Sequence, residues 1–292
     1  MYPKAIEFYY APKDVGEVLA LLRQHGDQAK LLAGGQSLLP LMKLRLVEPR
    51  AVIDLNRVTG LNEVREEGGV LHIGALVRHV EIAHHPLIQR SYSILADAAR
   101  NIGDWQVRNR GTLAGSLVHA DPAADYPPAV IALNGIVIIM KSDGSQRAVN
   151  AADFFVGPLT TALAEDELVV RIEIPTPPPH SGGVYMKHSQ VAGDFAIISV
   201  AAQITLNTAG QCQQTAIVVG GVMPKPVRAA RAMEALKGKT LDDVASARAG
   251  ELAAEEVETQ TDMRASAEYR SQLIRVTVPA LLRQAAAHAG KA

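Results

Sequence analysis

Cysteine occurs once in this chain of 292 residues, at Cys212. A lone thiol closes no internal disulfide, and iron–sulfur clusters generally need several cysteine ligands. The chain by itself is therefore predicted to hold no such cluster. Long hydrophobic runs are scarce too. The longest nearly apolar stretch, 129–140, is shorter than the roughly 20 residues a membrane-spanning helix needs, and Asn134-Gly135 interrupts it. The opening stretch, MYPKAIEFYYAPKDVGEVLA, has no basic segment leading into an apolar one, which predicts no secretory signal and a cytoplasmic location. Excess charge of one sign is also missing. With 29 Lys+Arg against 30 Asp+Glu the formal net charge is −1, and no block of like charge stands out. That argues against a polybasic nucleic-acid surface or an anionic-membrane anchor. Three generic fingerprints are absent as well: G-x-G-x-x-G after a strand, G-x-x-x-x-G-K-[ST] and G-x-S-x-G. Rossmann, P-loop and hydrolase-elbow readings have no support.

What is present is ordinary globular composition, 48% hydrophobic and 20% charged, with length enough for a sizeable core and two domains. The apolar spacing of Val15, Val18, Leu19 and Leu22, with Gly26 beyond it, predicts a helix over 15–24. Short strands are predicted over 30–33 and 51–55, with a helical turn or two over 37–44, giving a β–turn–α–β order in the first 55 or so residues. A second region opens near Thr59-Gly60. It carries a predicted strand over 70–74, helices over 78–83 and 91–102, and a hairpin from 136–141 to 146–149 around Asp143-Gly144. Pro127-Pro128 suits the first turn of a helix. PTPPPHSGG, 175–183, reads as a boundary loop. Beyond it, strands over 200–206 and 215–220 and helices over 228–236 and 265–287 form a separate α+β unit.

Two stretches of small residues could carry chemistry: LLAGGQSLLP, 31–40, and RNRGTLAGSLVHADPAAD, 108–125, the second predicted to be a glycine-bearing loop. Each puts backbone N–H groups and a hydroxyl where no bulky side chain intervenes, and concave runs of free N–H groups bind phosphate oxygens. Taken singly, each reads first as a tight turn, and only the two together bring a phosphate-binding reading level with it. The histidines at 79, 84 and 85 lack acidic or cysteine partners at ligand spacing and are predicted as surface helix residues. Trp105 is predicted to be a packing residue, and His119 is either structural or cofactor-adjacent. Asp121 and Asp125 resemble an acid–base pair, although Asp121-Pro122 is better explained as turn chemistry.

Together, AGGQS and TLAGS, with RNRGT before the second and ADPAAD after it, resemble the FAD-binding medium subunits of molybdenum hydroxylases, the carbon monoxide dehydrogenase and xanthine dehydrogenase family. EDELVVRIEIP (165–175), YMKHS (185–189), GDFAIISVAA (193–202) and AEYRSQLIRV (267–276) continue the likeness in family order over most of the chain. The resemblance implies an α+β protein. A two-subdomain FAD-binding fold of the vanillyl-alcohol oxidase and p-cresol methylhydroxylase type (1–58 and 59–177) would precede a C-terminal α+β domain (178–292). It implies a first pyrophosphate loop at Ala33, Gly34, Gly35, Gln36 and Ser37, flanked by Leu32 and Leu38, and a second at Thr112, Ala114, Gly115 and Ser116. It further implies cofactor contacts from Ile102, Gly103, Val118, Ala120 and Asp121, with Asp125 on the flavin's sugar-like chain, Leu168 and Val169 packed near the cofactor, and Lys187 supplying positive charge.

By the same resemblance, a molybdenum centre on a large subunit oxidises the substrate. Electrons then cross [2Fe-2S] clusters on a small subunit to the FAD held here and on to an external acceptor, in a heterotrimer doubled into a hexamer. No metal site and no proton-transfer residue is implied on this chain, and substrate choice belongs to another chain. Two departures from the family pattern stand out. Ala114 replaces a common glycine and is expected to set a methyl near the pyrophosphate, and Gln190-Val191 stands where a basic residue is common. Two other readings remain: a stand-alone flavin enzyme of the same fold, and a non-enzymatic binding or assembly module. The first needs a substrate-binding acid or base in the C-terminal part. The second leaves both small-residue stretches without a purpose.

Overall fold

The computed structural model describes residues 3–222 and 224–290. The first unit is a parallel sheet of β1 (Phe8–Tyr10), β2 (Ala29–Leu32) and β3 (Ala51–Asp54) in the order β1-β3-β2, with α1 (Val15–His25) and α2 (Leu38–Lys43). Helix α1 follows from its sequence. Asp14 caps it by accepting from the Glu17 amide, Val18, Leu19 and Leu22 line its buried face, and Gly26 ends it at a positive φ of 53°.

The second unit is built on an antiparallel sheet in the order β4-β5-β10-β6-β7: β4 (Val64–Glu67), β5 (Val70–Gly74), β6 (Ile136–Met140), β7 (Gln146–Asn150) and, at its centre, β10 (Leu168–Pro175). Between β5 and β6 run α3 (His79–His84), α4 (Pro86–Ser91), α5 (Ser93–Asn101), α6 (Trp105–Arg110), α7 (Leu113–His119) and α8 (Tyr126–Ala132). A short α9 (Ala151–Phe154) and the small pair β8 (Phe155–Gly157) and β9 (Thr160–Thr161) follow β7. The third unit is the antiparallel sheet β11 (Ser181–His188), β12 (Ile198–Leu206), β13 (Cys212–Gly220) and β14 (Val227–Arg228), backed by α10 (Ala230–Leu236), α11 (Asp243–Glu256) and α12 (Ala267–Ala289).

The two-residue period of a strand explains how these pieces stack. In β6, Ile136, Ile138 and Met140 pack into the core of the first unit, whereas Val137 and Ile139 join the helices α3–α8. In β10, Leu168 and Val170 take the first face. Val169, Ile172 and Ile174 take the second, after an irregularity between Val169 and Arg171. The third sheet is divided in the same way. Tyr185, Ala201, Ala216 and Val218 face the helical layer, while Val184, Ile198, Val200, Ile204, Ile217 and Val219 face α10–α12. The inner strands of the second and third sheets are thus packed on both faces, and the helices α3–α8 lie between those two sheets.

Several expectations need correction. The stretch 108–125 is not mainly a loop, because α6 ends within it and α7 occupies its centre. The helix expected over 91–102 is broken at Tyr92, whose φ of −135° and ψ of 44° separate α4 from α5. The proline-rich boundary is shorter than expected, since β10 runs to Pro175 and β11 begins at Ser181. Gly182 therefore belongs to a packed strand. A Cβ there would lie 2.2 Å from the Ala285 carbonyl oxygen and 2.4 Å from the Ala289 nitrogen of α12. Substituting Gly182→Val is expected to lower stability by about 1–3 kcal/mol or more, because backbone atoms cannot be repacked as side chains can. Unchanged chemical denaturation of the variant would contradict this docking of α12.

Candidate functional site

The first small-residue stretch lies between β2 and α2, where the chain leaves the edge strand of the parallel sheet. Gly35 takes a φ of +76°, which a residue with a Cβ rarely adopts, and this turns the backbone toward α2. The consequence is a run of donors without partners. Among the described residues, the amide N–H groups of 34–38 donate to no protein acceptor, and the Ser37 side chain makes no capping bond. No carboxylate occurs between Leu31 and Leu46. Consecutive free N–H donors beside a serine hydroxyl fit an anionic diphosphate, whose oxygens only accept. None of these five residues is buried, so the donors are open to solvent and to an anionic ligand such as the FAD pyrophosphate.

The second stretch lies against the first. A Cβ on Gly34 would sit 2.4 Å from the Arg110 carbonyl oxygen and 2.6 Å from the Gly111 Cα, so only glycine allows the two backbones this approach. The face of Gly115 looks toward Ala33, whose Cβ lies 3.9 Å from an ideal Cβ on Gly115. Yet the second stretch is not the second nest of free amides expected from sequence. The amides of Leu113 and Ala114 donate to the carbonyls of Val77 and Ala75, and those of Gly115 and Ser116 to the hydroxyl and carbonyl of Thr112. Thr112 therefore acts as the cap of α7 and is itself 2% exposed. What this stretch offers is a small surface, with Gly115 exposed and Ser116 half-buried. Ala114 is 5% exposed and belongs to the core of the second unit, so the methyl expected near the pyrophosphate is buried there.

A buried polar cluster joins the second unit to the third. Asp125 accepts from the Tyr185 hydroxyl at 2.6 Å on one carboxylate oxygen and from Lys187 Nζ at 3.1 Å on the other. The lysine also donates to the Asn101 carbonyl at 2.5 Å, beside Ile102 and Gly103. Side-chain exposure is 3% for Lys187 and 8% for Asp125. Burial pushes the Asp125 carboxyl above its ordinary range, against the pull of Lys187 and Tyr185 toward the charged form. Burial and the neighbouring carboxylate likewise push the Tyr185 phenol well up, keeping it a donor.

The remaining candidates are more scattered. Ile102 and Gly103 have carbonyls that each accept from Arg108 Nη1 at 2.9 Å. Val118 and Ala120 lie at the end of α7, with Ala120 in the left-handed region at a φ of 51°. Asp121 accepts from the Ala123 amide at 2.8 Å, which is the turn chemistry expected of it. Leu32 closes β2 and Leu38 opens α2. Leu168 and Val169 are core residues of β10, each 3% exposed.

Two sequence expectations fail here. His79 is not a surface residue: it is 4% exposed beneath Gly111, and burial lowers its pKa to about 3, so it is neutral. Trp105 is 58% exposed, stacked on His84 at 6.1 Å with Arg108 5.1 Å from its ring centre, so it is not a core residue. No cluster of three metal-binding side chains occurs among the described residues. Near Gln190-Val191 the basic group is Arg264, which pairs with Asp194 at 2.9 Å and lies 5.6 Å from the Phe195 ring centre. Tyr185, although it opens the YMKHS motif, and Arg264 were not among the site residues implied by sequence. Their partners lie 60 and 70 residues away, and only the fold brings them together.

Comparison with known proteins identifies the family. The model of the FAD-binding domain in molybdopterin dehydrogenase matches residues 4–177, and that of the CO dehydrogenase flavoprotein C-terminal domain matches 184–285. The chain belongs to this family. Among its relatives, the medium subunit of nicotine 6-hydroxylase from Paenarthrobacter nicotinovorans is 38% identical, over 91% of this chain and 92% of that protein. The medium chain of carbon monoxide dehydrogenase from Hydrogenophaga pseudoflava is 37% identical over 94% of each. A solved chain of the latter enzyme, in a form lacking the Mo-pyranopterin moiety, superposes with a TM-score of 0.94 over 99% of both chains at 38% identity. Quinoline 2-oxidoreductase from Pseudomonas putida 86 gives 0.92 at 35% identity, again over 99% of both. The protein is an FAD-binding medium chain of the molybdenum hydroxylase type, an oxidoreductase subunit.

The buried cluster of this medium chain yields a prediction with a definite pH sign. Lys187→Met strips Asp125 of its cation, and breaking a buried pair costs about 3–5 kcal/mol when the charge remains. A carboxyl whose folded pKa is raised contributes stability below its unfolded pKa and loses it as pH rises through the folded one. The variant's deficit is therefore expected to be full at pH 8 and to shrink as Asp125 takes up a proton on acidification. Denaturation midpoints across that range check it, and a pH-independent deficit would sink the assignment.

Proposed function

We propose that this chain carries electrons through FAD within a molybdenum-containing hydroxylase. A small partner chain holding [2Fe-2S] clusters supplies the electrons, a large partner holding the molybdenum cofactor oxidises the substrate, and an external acceptor removes the electrons. The run of unpartnered amides over 34–38, set against the second small-residue stretch, carries the reading. Three further observations support it. Cys212 is the only cysteine and is buried, so the chain lacks the ligand set for a cluster of its own. The two relatives described above are named as a medium subunit and a medium chain, and the likeness to them spans over nine-tenths of the chain. No helix among the described residues is long and apolar enough to cross a membrane.

In this reading residues 1–58 and 59–177 grip the dinucleotide between them, and 178–292 complete the site. The amides of 34–38 and the Ser37 hydroxyl bind the pyrophosphate by donating to it. Gly115 and Ser116 face it with little bulk, so the two stretches close on it from opposite sides. Asp125, held by Tyr185 and Lys187, orients the sugar-like chain by accepting from its hydroxyls with its remaining lone pairs. Lys187, donating to the Asn101 carbonyl beside Ile102 and Gly103, is the cationic side chain that this reading sets near the cofactor. Leu168 and Val169 hold the sheet behind α7 rigid. Bound FAD supplies the redox chemistry, and the chain supplies orientation, electrostatics and exclusion of water.

The decisive experiment is to purify the native complex through this chain, then record its absorption spectrum, metal content and subunit composition. Flavin with iron and molybdenum, one smaller partner and one larger, is the expected result. Flavin on a metal-free single chain that turns over a substrate would replace this reading with that of a stand-alone flavin enzyme. Within the first stretch, Gly35→Asp is expected to abolish flavin retention. It forces a side chain into a left-handed φ, with its Cβ 2.9 Å from Leu39 Cδ1, and sets a negative charge against a pyrophosphate. A full flavin complement in that variant would refute the assignment of the loop.

A further inference from the structure

The two cofactor-facing stretches belong to different units, yet their spacing must be held to within tenths of an ångström for both to reach one diphosphate. Two side chains outside both stretches span the gap. Asn56, just past β3, donates from Nδ2 to the Ala33 carbonyl at 3.0 Å. Its Oδ1 accepts from Arg78 Nη2 at 2.6 Å, and the other terminal nitrogen of Arg78 donates to the Arg110 carbonyl. One continuous path therefore runs from Ala33 through the Asn56 carboxamide and the Arg78 guanidinium to Arg110. The carbonyl at its far end is the one against which Gly34 packs.

Both members are themselves fixed. Asn56 donates to Asp54 through its backbone amide at 2.9 Å and through Nδ2, and Tyr9 donates to the other Asp54 oxygen at 2.6 Å. Arg78 precedes α3, where its amide donates to Glu81 Oε2 at 2.7 Å and its carbonyl accepts from the Glu81 amide at 3.1 Å. A carboxamide that donates and accepts at opposite ends, feeding a planar fork with two donors, transmits position with little slack.

We propose that Asn56 and Arg78 form a latch that sets the separation of the two pyrophosphate-facing stretches, acting as a positioning pair for dinucleotide retention. The proposal rests on the reading of those stretches as the FAD site. Neither residue touches the cofactor in this account. Each acts through a carbonyl of the stretch it holds. An unlatched Arg110 carbonyl would also lose its partner beside Gly34, freeing the second backbone to drift away from the first.

The test is FAD affinity, measured by flavin fluorescence on the complex stripped of flavin and rebound, for wild type, Asn56→Ala, Arg78→Ala, the double variant and Arg78→Lys. Each single alanine variant is expected to bind FAD roughly tenfold more weakly, the scale of one lost hydrogen bond to a charged group. The double variant is expected to lose no more than the worse single one, because both act through one path. Arg78→Lys keeps the charge but not the fork and is expected to fail as rescue. Circular dichroism and thermal midpoints check that the variants fold. If Arg78→Ala does not, Arg78→Gln, which reaches only one of the two acceptors, takes its place. Wild-type affinity in the single variants, additive losses, or full rescue by lysine would each overturn the latch. A wild-type chain that takes up no FAD would instead overturn the reading on which the latch rests.

Discussion

The backbone-on-backbone contact of Gly34 with Arg110 and Gly111 is the constraint on which the rest of the site depends. It is a contact between two units that share no strand, and any side chain at residue 34 would forbid it. Its consequence is chemical rather than merely steric. The amides of 34–38 donate to no protein acceptor, and the backbone at Arg110 and Gly111 packed against Gly34 supplies them none. The two stretches are thus unequal partners. The first brings donors and the second brings a close, small wall, although both look alike as strings of Gly, Ala, Ser and Thr.

That inequality marks where sequence reading ran out. The β–turn–α–β order of the first unit, the 136–150 hairpin and the helix over 267–289 were legible because each rests on local periodicity or a turn residue. The two small-residue stretches were legible as a pair because their composition is unusual. Which amides remain free was not legible. It is decided by Val77 and Ala75, some 36 to 39 residues upstream of their partners Leu113 and Ala114. His79 failed for a related reason. Its place at the start of a helix looks solvated, but Gly111 and the aromatic ring of Tyr126, 5.2 Å away, cover it. Trp105 failed in the opposite direction, since a large aromatic is buried by default and here stacks on His84 at the surface.

The third unit appears in the sequence as a separate module after a proline-rich break, and its sheet and helices do form their own core. Its other sheet face nevertheless belongs to the core of the second unit, through Tyr185, Ala201, Ala216 and Val218. Strand β11 carries both kinds of link. Tyr185 reaches the helical layer with its ring and Asp125 with its hydroxyl, and Lys187 reaches Asp125 and the Asn101 carbonyl two residues on. Side chains at i and i+2 lie on one face of a strand, so a single register places both on the same carboxylate.

A buried carboxylate held by a lysine and a tyrosine is a weak source of stability, because desolvating the ions offsets much of their attraction. Apolar residues of similar volume would fill the space at no greater cost to the fold. The arrangement makes sense instead as a way to fix one acceptor at the junction of two units, with its direction set by two donors from the third. The same logic governs the other end of the site, where Asn56 and Arg78 hold carbonyls of the two stretches across a unit boundary. At both ends, polar groups from one unit determine the geometry of backbone or side chains in another. On the proposed reading of the site, these contacts would tie cofactor binding to the docking of all three units.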